Sequence, residues 1–461
     1  MISMDDTIAA IGTPIGEGGI GIVRVSGPLA EEIAVKIFEP KNPVSRLSSH
    51  RLYYGKIKDP QDGSMVDEVL LTLMRKPKTY TREDVLEINC HGGILVLQKV
   101  LELTLKEGAR LAEPGEFTRR AFLNGRIDLT QAEAVVDMVK SKTKRALSLA
   151  TQQLKGQIYE EIRNIQERII YVLSHLEAAI DFPEEDIEIL NSTHLISYME
   201  REVIEPLKAM VAHYERGRIY REGISAIIIG KPNVGKSSLL NVLLKENRAI
   251  VTPTPGTTRD VIEEFINIKG IPLRIMDTAG MGCPKDVIEE AGIKIAKDRL
   301  AEAEIVIFMV DASSGPDEHD FALYEEVRNR PVIVVLNKMD LVSENSIPKG
   351  VEAFSEKIVV KISALYNYGI DDLREAIFQI ILGDRIDSTI PLFVPNTRHK
   401  IAIGKALHAL ERARDELING IPPELIAVDI QTSLDHLGEV IGVTTPDDVL
   451  DRIFSQFCIG K

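Results

Sequence analysis

At 461 residues the chain is too long for one hydrophobic core, so two or three domains are expected. Hydrophobic residues at 44% and charged residues at 27% exclude a wholly disordered chain, and no apolar run approaches the roughly 20 residues of a membrane span. The formal charge of -15, from 55 Lys and Arg against 70 Asp and Glu, excludes a protein that coats itself in nucleic acid through bulk charge. RNA contact therefore has to come from a local patch, a dimer groove or a second protein. Two basic clusters are candidates, Lys140-Ser-Lys-Thr-Lys-Arg145 and Arg216-Gly-Arg-Ile-Tyr-Arg221, each read first as a solvated helix face or linker. The opening MISMDDTIAAIG lacks the basic start and apolar run of a secretory signal. Cys90, Cys283 and Cys458 show no CxxC spacing. Neither a disulfide framework nor a zinc site is expected, and the cytoplasm is the expected address.

In chain order, residues 1 to about 120 are rich in Gly and Pro, with short apolar runs at Ile20–Val25 and Asp84–Asn89. Such runs bounded by turn residues predict strands of an α+β domain. From Gly115 to Phe182 there is no proline. There Leu154, Ile158, Ile162, Ile165, Ile169, Leu173 and Leu176 predict one stripe of a long helix buried in a bundle. After about residue 222 the pattern becomes β-α alternation, with buried parallel strands predicted at 224–229, 273–276, 305–310 and 332–336. Helical texture returns after about residue 385. Thr445-Pro-Asp-Asp predicts a helix start, with Thr445 as the cap. The expected fold is an α/β multidomain chain. It has an α+β N-terminal domain (1–120), an all-α helical domain split into 121–222 and 385–461, and a nucleotide-binding domain (223–384) inserted between the halves.

That inserted region carries five motifs in order. Gly230-Lys-Pro-Asn-Val-Gly-Lys-Ser237 fits GxxxxGK[ST] between a strand and a helix. Backbone N–H groups of Asn233, Val234, Gly235, Ser237 and Ser238 are expected around the phosphates; Lys236 reaches the β- and γ-phosphates and Ser237 offers an oxygen to Mg²⁺. Asn337-Lys-Met-Asp340 is the guanine-reading NKxD: the Asp340 carboxylate accepts the N1 and N2 protons of guanine, and adenine offers no such pair. Asn337 and Lys338 complete that loop, and Ser363-Ala364 matches the short loop that closes the base pocket. Asp277, Thr278, Ala279 and Gly280 form DTAG at the γ-phosphate, and Thr258 of Gly256-Thr-Thr-Arg259 is the second expected Mg²⁺ ligand. These motifs predict a Ras-like P-loop GTPase domain.

The residue after DTAG is Met281, which cannot orient an attacking water as a glutamine there would. Asn233, with a long loop before GTTR, suits a K⁺ ion beside the phosphates, caged by the carbonyls of Thr252 and Thr254. Pro253, Pro255 and Thr257 lie in the same nucleotide-facing loop. Glu289 is the candidate for positioning water, with an ordinary exposed helix Glu as the alternative.

These motifs, with Gly18-Gly-Ile-Gly-Ile-Val-Arg-Val-Ser-Gly27, Tyr80–Glu87, His91-Gly-Gly93, Ala112–Thr118, Phe122–Leu129 and the closing Cys458-Ile-Gly-Lys461, resemble the MnmE (TrmE) family of tRNA-modification GTPases across essentially the whole chain. The resemblance implies a homodimer formed through a tetrahydrofolate-binding N-terminal domain. It implies a flavoprotein partner, MnmG, in a heterotetramer that modifies the wobble uridine of certain tRNAs at carbon 5. It implies a 5-formyl- or 5,10-methylene-tetrahydrofolate held by Arg24, Glu87, Arg126 and Lys461. It also implies K⁺ ligands Asn233, Thr252, Thr254 and Thr257, and Glu289 as the water-positioning group. Cys458 is a candidate for chemistry, with a buried inert thiol as the alternative. Gly282 stands where relatives usually have an Arg, so no arginine from that loop is expected to assist hydrolysis. The rival reading is a ribosome-assembly GTPase acting as an RNA-binding timer, which predicts a basic RNA module that this acidic chain does not display.

Overall fold

The structure is a computed structural model that describes residues 6–14, 16–181, 192–247, 264–276, 300–343, 349–383 and 395–461. The Gly- and Pro-rich N-terminal stretch forms a seven-stranded sheet from β1 (Ile8–Ile11), β2 (Gly18–Ser26), β3 (Phe38–Pro40), β4 (Arg51–Lys58), β5 (Met65–Met74), β6 (Val85–Gly92) and β7 (Arg110–Leu111). Their order is β3-β4-β5-β6-β2-β1-β7, antiparallel except for β1 with β7. Alternation along the strands sends Val23, Val25, Leu71, Leu73, Leu86 and Ile88 to one face, where Ile33 and Ile37 of the helix Ala30–Ile37 and Val100 and Leu103 of Ile94–Lys106 cover them. On the opposite face Phe117 covers Ile8 and Ala10 of β1, while the part formed by β4 and β5 stays open. There Leu52 (60% exposed), Tyr54 and Leu70 stand in register beside the Arg24–Glu87 pair.

The all-α region is a bundle whose core draws on two stretches of the chain, one on each side of the nucleotide module. Ile158, Ile162, Ile165, Ile169 and Leu176 of the helix Gln157–Asp181 pack with Met199 and Leu207. From the other stretch come Ile403, Ala406 and Leu410 of Thr397–Ile418, and Ile426, Ile430 and Leu437 of Pro423–Ile441. Two details differ from expectation. Leu154 ends a separate helix, Lys144–Leu154, because Gly156 adopts φ 86 and breaks the stripe before Gln157. Thr445 does not cap: its hydroxyl donates to the Glu439 carbonyl, and Pro446 occupies the cap position of the helix Asp447–Phe454.

Between the two helical stretches lies a second sheet. Its strands are β8 (Ile224–Ile229), β9 (Glu264–Ile268), β10 (Ile271–Met276), β11 (Ile305–Asp311), β12 (Val332–Asn337) and β13 (Ile358–Lys361), ordered β13-β12-β11-β8-β10-β9. All pairs are parallel except the β9–β10 hairpin. This is the doubly wound arrangement expected of a nucleotide module.

Arg398 closes the bundle. Its Nε and Nη2 donate to the Glu133 carboxylate at 2.8 and 3.0 Å, while Nη1 and Nη2 donate to the Glu439 and Val440 carbonyls at the end of a third helix. The Nε2 atom of buried His399 lies 2.7 Å from Glu133 Oε2. Burial opposes ionisation of Glu133, but His399 and Arg398 outweigh it and hold the carboxyl well below the usual range. A depressed carboxylate stabilises the fold above its unfolded pKa of about 4.3 and loses that contribution as pH falls through the folded value. Glu133→Gln is therefore expected to lower unfolding stability by about 3 kcal/mol at neutral pH. The difference should shrink on acidification in denaturant titrations followed by circular dichroism. A neutral-pH loss under about 1 kcal/mol would mean that the cluster does not hold the bundle.

Candidate functional site: a nucleotide pocket and an N-terminal cluster

The carboxyl ends of β8, β11 and β12 meet at one edge of the second sheet, where ligands of doubly wound folds bind. β8 ends at Ile229, and the chain turns sharply through Gly230, Asn233 (φ 64) and Gly235 (φ 100) before the helix Lys236–Asn247 begins. A Cβ on Gly235 would lie 2.2 Å from Asn337 Nδ2, so only glycine lets this loop approach β12. The turn directs successive backbone N–H groups toward the start of a helix, an arrangement suited to phosphate. Val234 is buried beneath the loop, while Ser237 and Ser238 are exposed on the first helical turn. Lys236 Nζ donates to the carbonyls of Gly230 and Lys231, both at 2.8 Å, which lays its ammonium across the mouth of the loop.

Asn337 joins this loop to the NKxD and Ser363-Ala364 segments. Its Nδ2 donates to Val234 O at 2.8 Å and its Oδ1 accepts from Ala364 N at 3.0 Å, both in the interior. Asp340 Oδ1 accepts from Ser363 Oγ at 2.6 Å, which orients the carboxylate. Lys338 (φ 66) donates to Asp311 Oδ2 at 2.5 Å. Burial works against ionised Asp311, yet Lys338 and Ser313 outweigh it and lower its pKa. Sequence reasoning missed one brace: Lys231 pairs with Asp317 at 2.5 Å and buried Asp320 at 2.9 Å, pinning the loop to the helix Glu318–Val327. The D-x-x-D spacing that caps that helix was the available signal. Thr252, Pro253, Thr254, Pro255, Gly256, Thr257, Thr258, Asp277, Thr278, Ala279, Gly280 and Glu289 lie outside the described residues.

At the N-terminal site Arg24 and Glu87 are register partners across β2 and β6, with Arg24 Nε and Nη2 both 2.8 Å from Glu87 Oε1. Arg24 Nη1 also donates to Gly460 O at 3.2 Å, which draws the Cys458–Lys461 tail against the sheet. The guanidinium lies 5.8 Å from the Phe117 ring centre, a contact that motif reading alone did not assign. Arg126 stands apart, exposed and stacked 4.7 Å over Tyr80, whose hydroxyl bonds Thr118 at 2.9 Å. Arg126 also lines a cleft of about 440 Å³ with Phe122, Gln131, Lys155, Tyr159 and Val443. Cys458 is exposed, which removes the buried-thiol alternative; the buried thiol is Cys90, pushed up to about 12 by burial and the nearby Asp67. Of the basic clusters, Arg218 is paired with Glu304 and Arg221 with Glu222, whereas Lys140, Lys142 and Lys144 are exposed.

Asn337→Ala strips partners from two interior backbone groups, Val234 O and Ala364 N. The expected cost is about 2 kcal/mol, read as a lower unfolding midpoint and at least about tenfold weaker nucleotide binding by titration calorimetry. Unchanged affinity would show that the stitch does not organise the pocket.

A family model described as the MnmE helical domain matches residues 129–458, and one described as the GTP-binding protein TrmE N-terminus matches residues 7–126. The tRNA modification GTPase MnmE of Acetivibrio thermocellus is 47% identical over 457 residues, 99% of each chain. Its counterpart in Carboxydothermus hydrogenoformans is 46% identical over 466 residues, covering 99% of this chain and 100% of that one. The Geobacter metallireducens protein of the same name reaches 48% over 459 residues, again covering 99% and 100%. Similarity sustained from the N-terminal sheet through the inserted module to the final helices places this chain in the MnmE (TrmE) family.

Proposed function

We propose that this chain is a K⁺-activated GTP hydrolase of tRNA modification. In this reading it works as a homodimer with the flavoprotein MnmG, in a heterotetramer, to convert the wobble uridine of certain tRNAs to its (carboxymethyl)aminomethyl form. A 5-formyl- or 5,10-methylene-tetrahydrofolate provides the one-carbon unit. The observation that carries the reading is the Asn337 stitch, which brings the phosphate loop, NKxD and Ser363-Ala364 around one pocket in a chain resembling MnmE over its whole length.

The residues present fit the groups this reading needs. Asn233 is exposed with φ 64 and Ser237 is exposed at the first helical turn, open positions for oxygen ligands of K⁺ and Mg²⁺ respectively. Bound there with Thr252, Thr254, Thr257 and Thr258, the two cations supply positive charge at the phosphates. Lys236 holds the β- and γ-phosphate oxygens, Asp340 reads guanine, Asp277 and Gly280 close the γ-phosphate end, and Glu289 positions the attacking water. At the N-terminal site Arg24 and Lys461 face the anionic parts of folate, Glu87 accepts from pterin donors, and Arg126 holds the tail. Exposed Cys458 beside this tail is available for chemistry. Leu52, Tyr54 and Leu70 form an apolar face next to the Arg24–Glu87 pair, which supports a second copy of the chain docking there. Among the described residues no helix is long and apolar enough to cross a membrane, and the proposed location is the cytoplasm.

Steady-state turnover of GTP in KCl and in NaCl at matched ionic strength, with ATP as control, tests the hydrolase. GTP turnover should depend on K⁺, and Asn233→Ala should remove that dependence. Equal rates in the two salts would eliminate the K⁺ site. Asp340→Asn should weaken GTP binding by about a hundredfold and favour xanthosine triphosphate, whose C2 carbonyl suits an amide donor. Retained GTP preference would displace Asp340 from base reading. Lys236→Ala should abolish wobble-uridine modification measured by nucleoside mass spectrometry; intact modification would leave the GTPase with no part in it.

A further inference from the structure

We infer that Thr143 is the positioning residue that couples the nucleotide module to the Arg126 side of the N-terminal site; this rests on the nucleotide reading above. The β9–β10 hairpin runs directly between two nucleotide motifs, with GTTR ending five residues before Glu264 and DTAG starting at the residue after Met276. Its turn, Lys269-Gly270, is gripped from outside the module. Thr143 Oγ1 donates to Gly270 O at 2.8 Å, and Lys142 Nζ stacks 5.5 Å over Phe265 of β9. Leu149, six residues further on, is buried among Ile266, Ile268 and Ile271 of the same hairpin cluster.

Thr143 is also the cap of the helix Lys144–Leu154, accepting from Ala146 N at 3.1 Å. That helix is a strut about 16 Å long. Its far end is held as firmly as its start: Leu154 O accepts from Gln131 Nε2 at 2.9 Å, and Gln153 Nε2 donates to Thr130 O at 3.0 Å. The other end of the Gln131 amide accepts from Asp128 N at 3.0 Å, two residues from Arg126. One hydrogen-bonded path thus runs from Gly270 through Thr143, the strut and Gln131 to the backbone that carries Arg126. A displacement of the hairpin on nucleotide binding would be passed on by a rigid strut pinned at both ends.

Two substitutions separate this role from helix capping. Thr143→Ser keeps both the cap and the donor. Thr143→Asp keeps the cap, since Asp is a strong N-cap, but sets an acceptor against the Gly270 carbonyl. The measurement is amide hydrogen exchange of the full chain with GDP and with a non-hydrolysable GTP analogue, in Mg²⁺ and KCl. In the wild type and Thr143→Ser, exchange over residues 128–156 should change with the nucleotide. In Thr143→Asp that change should be lost while the response at residues 230–238 persists, and modification per GTP hydrolysed should fall about fivefold, the weight of one hydrogen bond. Should Thr143→Asp fail to fold, Gln131→Glu breaks the far end by removing the donor to Leu154 O and predicts the same loss. A response over 128–156 that survives in Thr143→Asp or Gln131→Glu overturns the coupling. So does a wild type that responds at 230–238 alone, whereas no response at 230–238 overturns the nucleotide reading and the coupling with it.

Discussion

A helical core drawn from two stretches of the chain, with a whole nucleotide module between them, is joined by a polar latch as well as by apolar contact. Arg398 forms that latch. Four donor contacts are made, two to Glu133 and two to the terminal carbonyls of another helix, so a half-buried guanidinium is paired with a carboxylate and hydrogen-bonded on three nitrogens. Removing either charge alone would leave the other desolvated, which is why the cluster acts as a latch rather than an ordinary ion pair. Nearby, Arg221 Nη1 donates to Pro395 O, so the last helix before the nucleotide module is tied to the first described residue after it. The module is thereby held to the bundle at both of its connections.

The same economy operates inside the module. Parallel strands put their carboxyl ends on one edge, and the loops leaving those ends would be independent without a common anchor. Asn337 is that anchor, with one amide satisfying the phosphate loop on one side and the base loop on the other. Because both contacts are buried, the amide has no competing water and the loops inherit a fixed spacing. Lys231, paired with Asp317 and Asp320, fixes the other side of the phosphate loop. Charge is also rationed: Arg218 and Arg221 are consumed in ion pairs, while Lys140, Lys142 and Lys144 stay exposed on an acidic chain, beside the hairpin that the strut grips.

The N-terminal site shows a different logic. Arg24 and Glu87 meet because β2 and β6 are paired in one register; a slip of one residue would put the two side chains on opposite faces. The tail carbonyl of Gly460 then joins Arg24 from 436 residues away. Placing polar groups and exposed apolar side chains on one open face gives a surface that is incomplete until something covers it, a feature of the sheet rather than of any single strand.

Much of this was legible beforehand. The apolar runs 224–229, 305–310 and 332–336 predicted strands that the structure extends by at most one residue, and the GxxxxGK[ST] and NKxD spacings follow from local backbone demands. The helix break at Gly156 was misread because a three- and four-residue periodicity continues across a residue with positive φ, and periodicity carries no information about φ. Thr445 was misread as a cap because its hydroxyl found a tertiary acceptor, Glu439 O, instead of the local one. What the sequence determined by itself was therefore local: which segments are strands or helices, and where the GxxxxGK[ST] and NKxD spacings fall between them. The tertiary structure alone decided the Asn337 stitch, the Arg398 latch, the Thr143 grip on Gly270 and the Arg24–Gly460 contact. Each joins groups far apart in the chain, and their meeting is fixed by register and packing that no local pattern encodes.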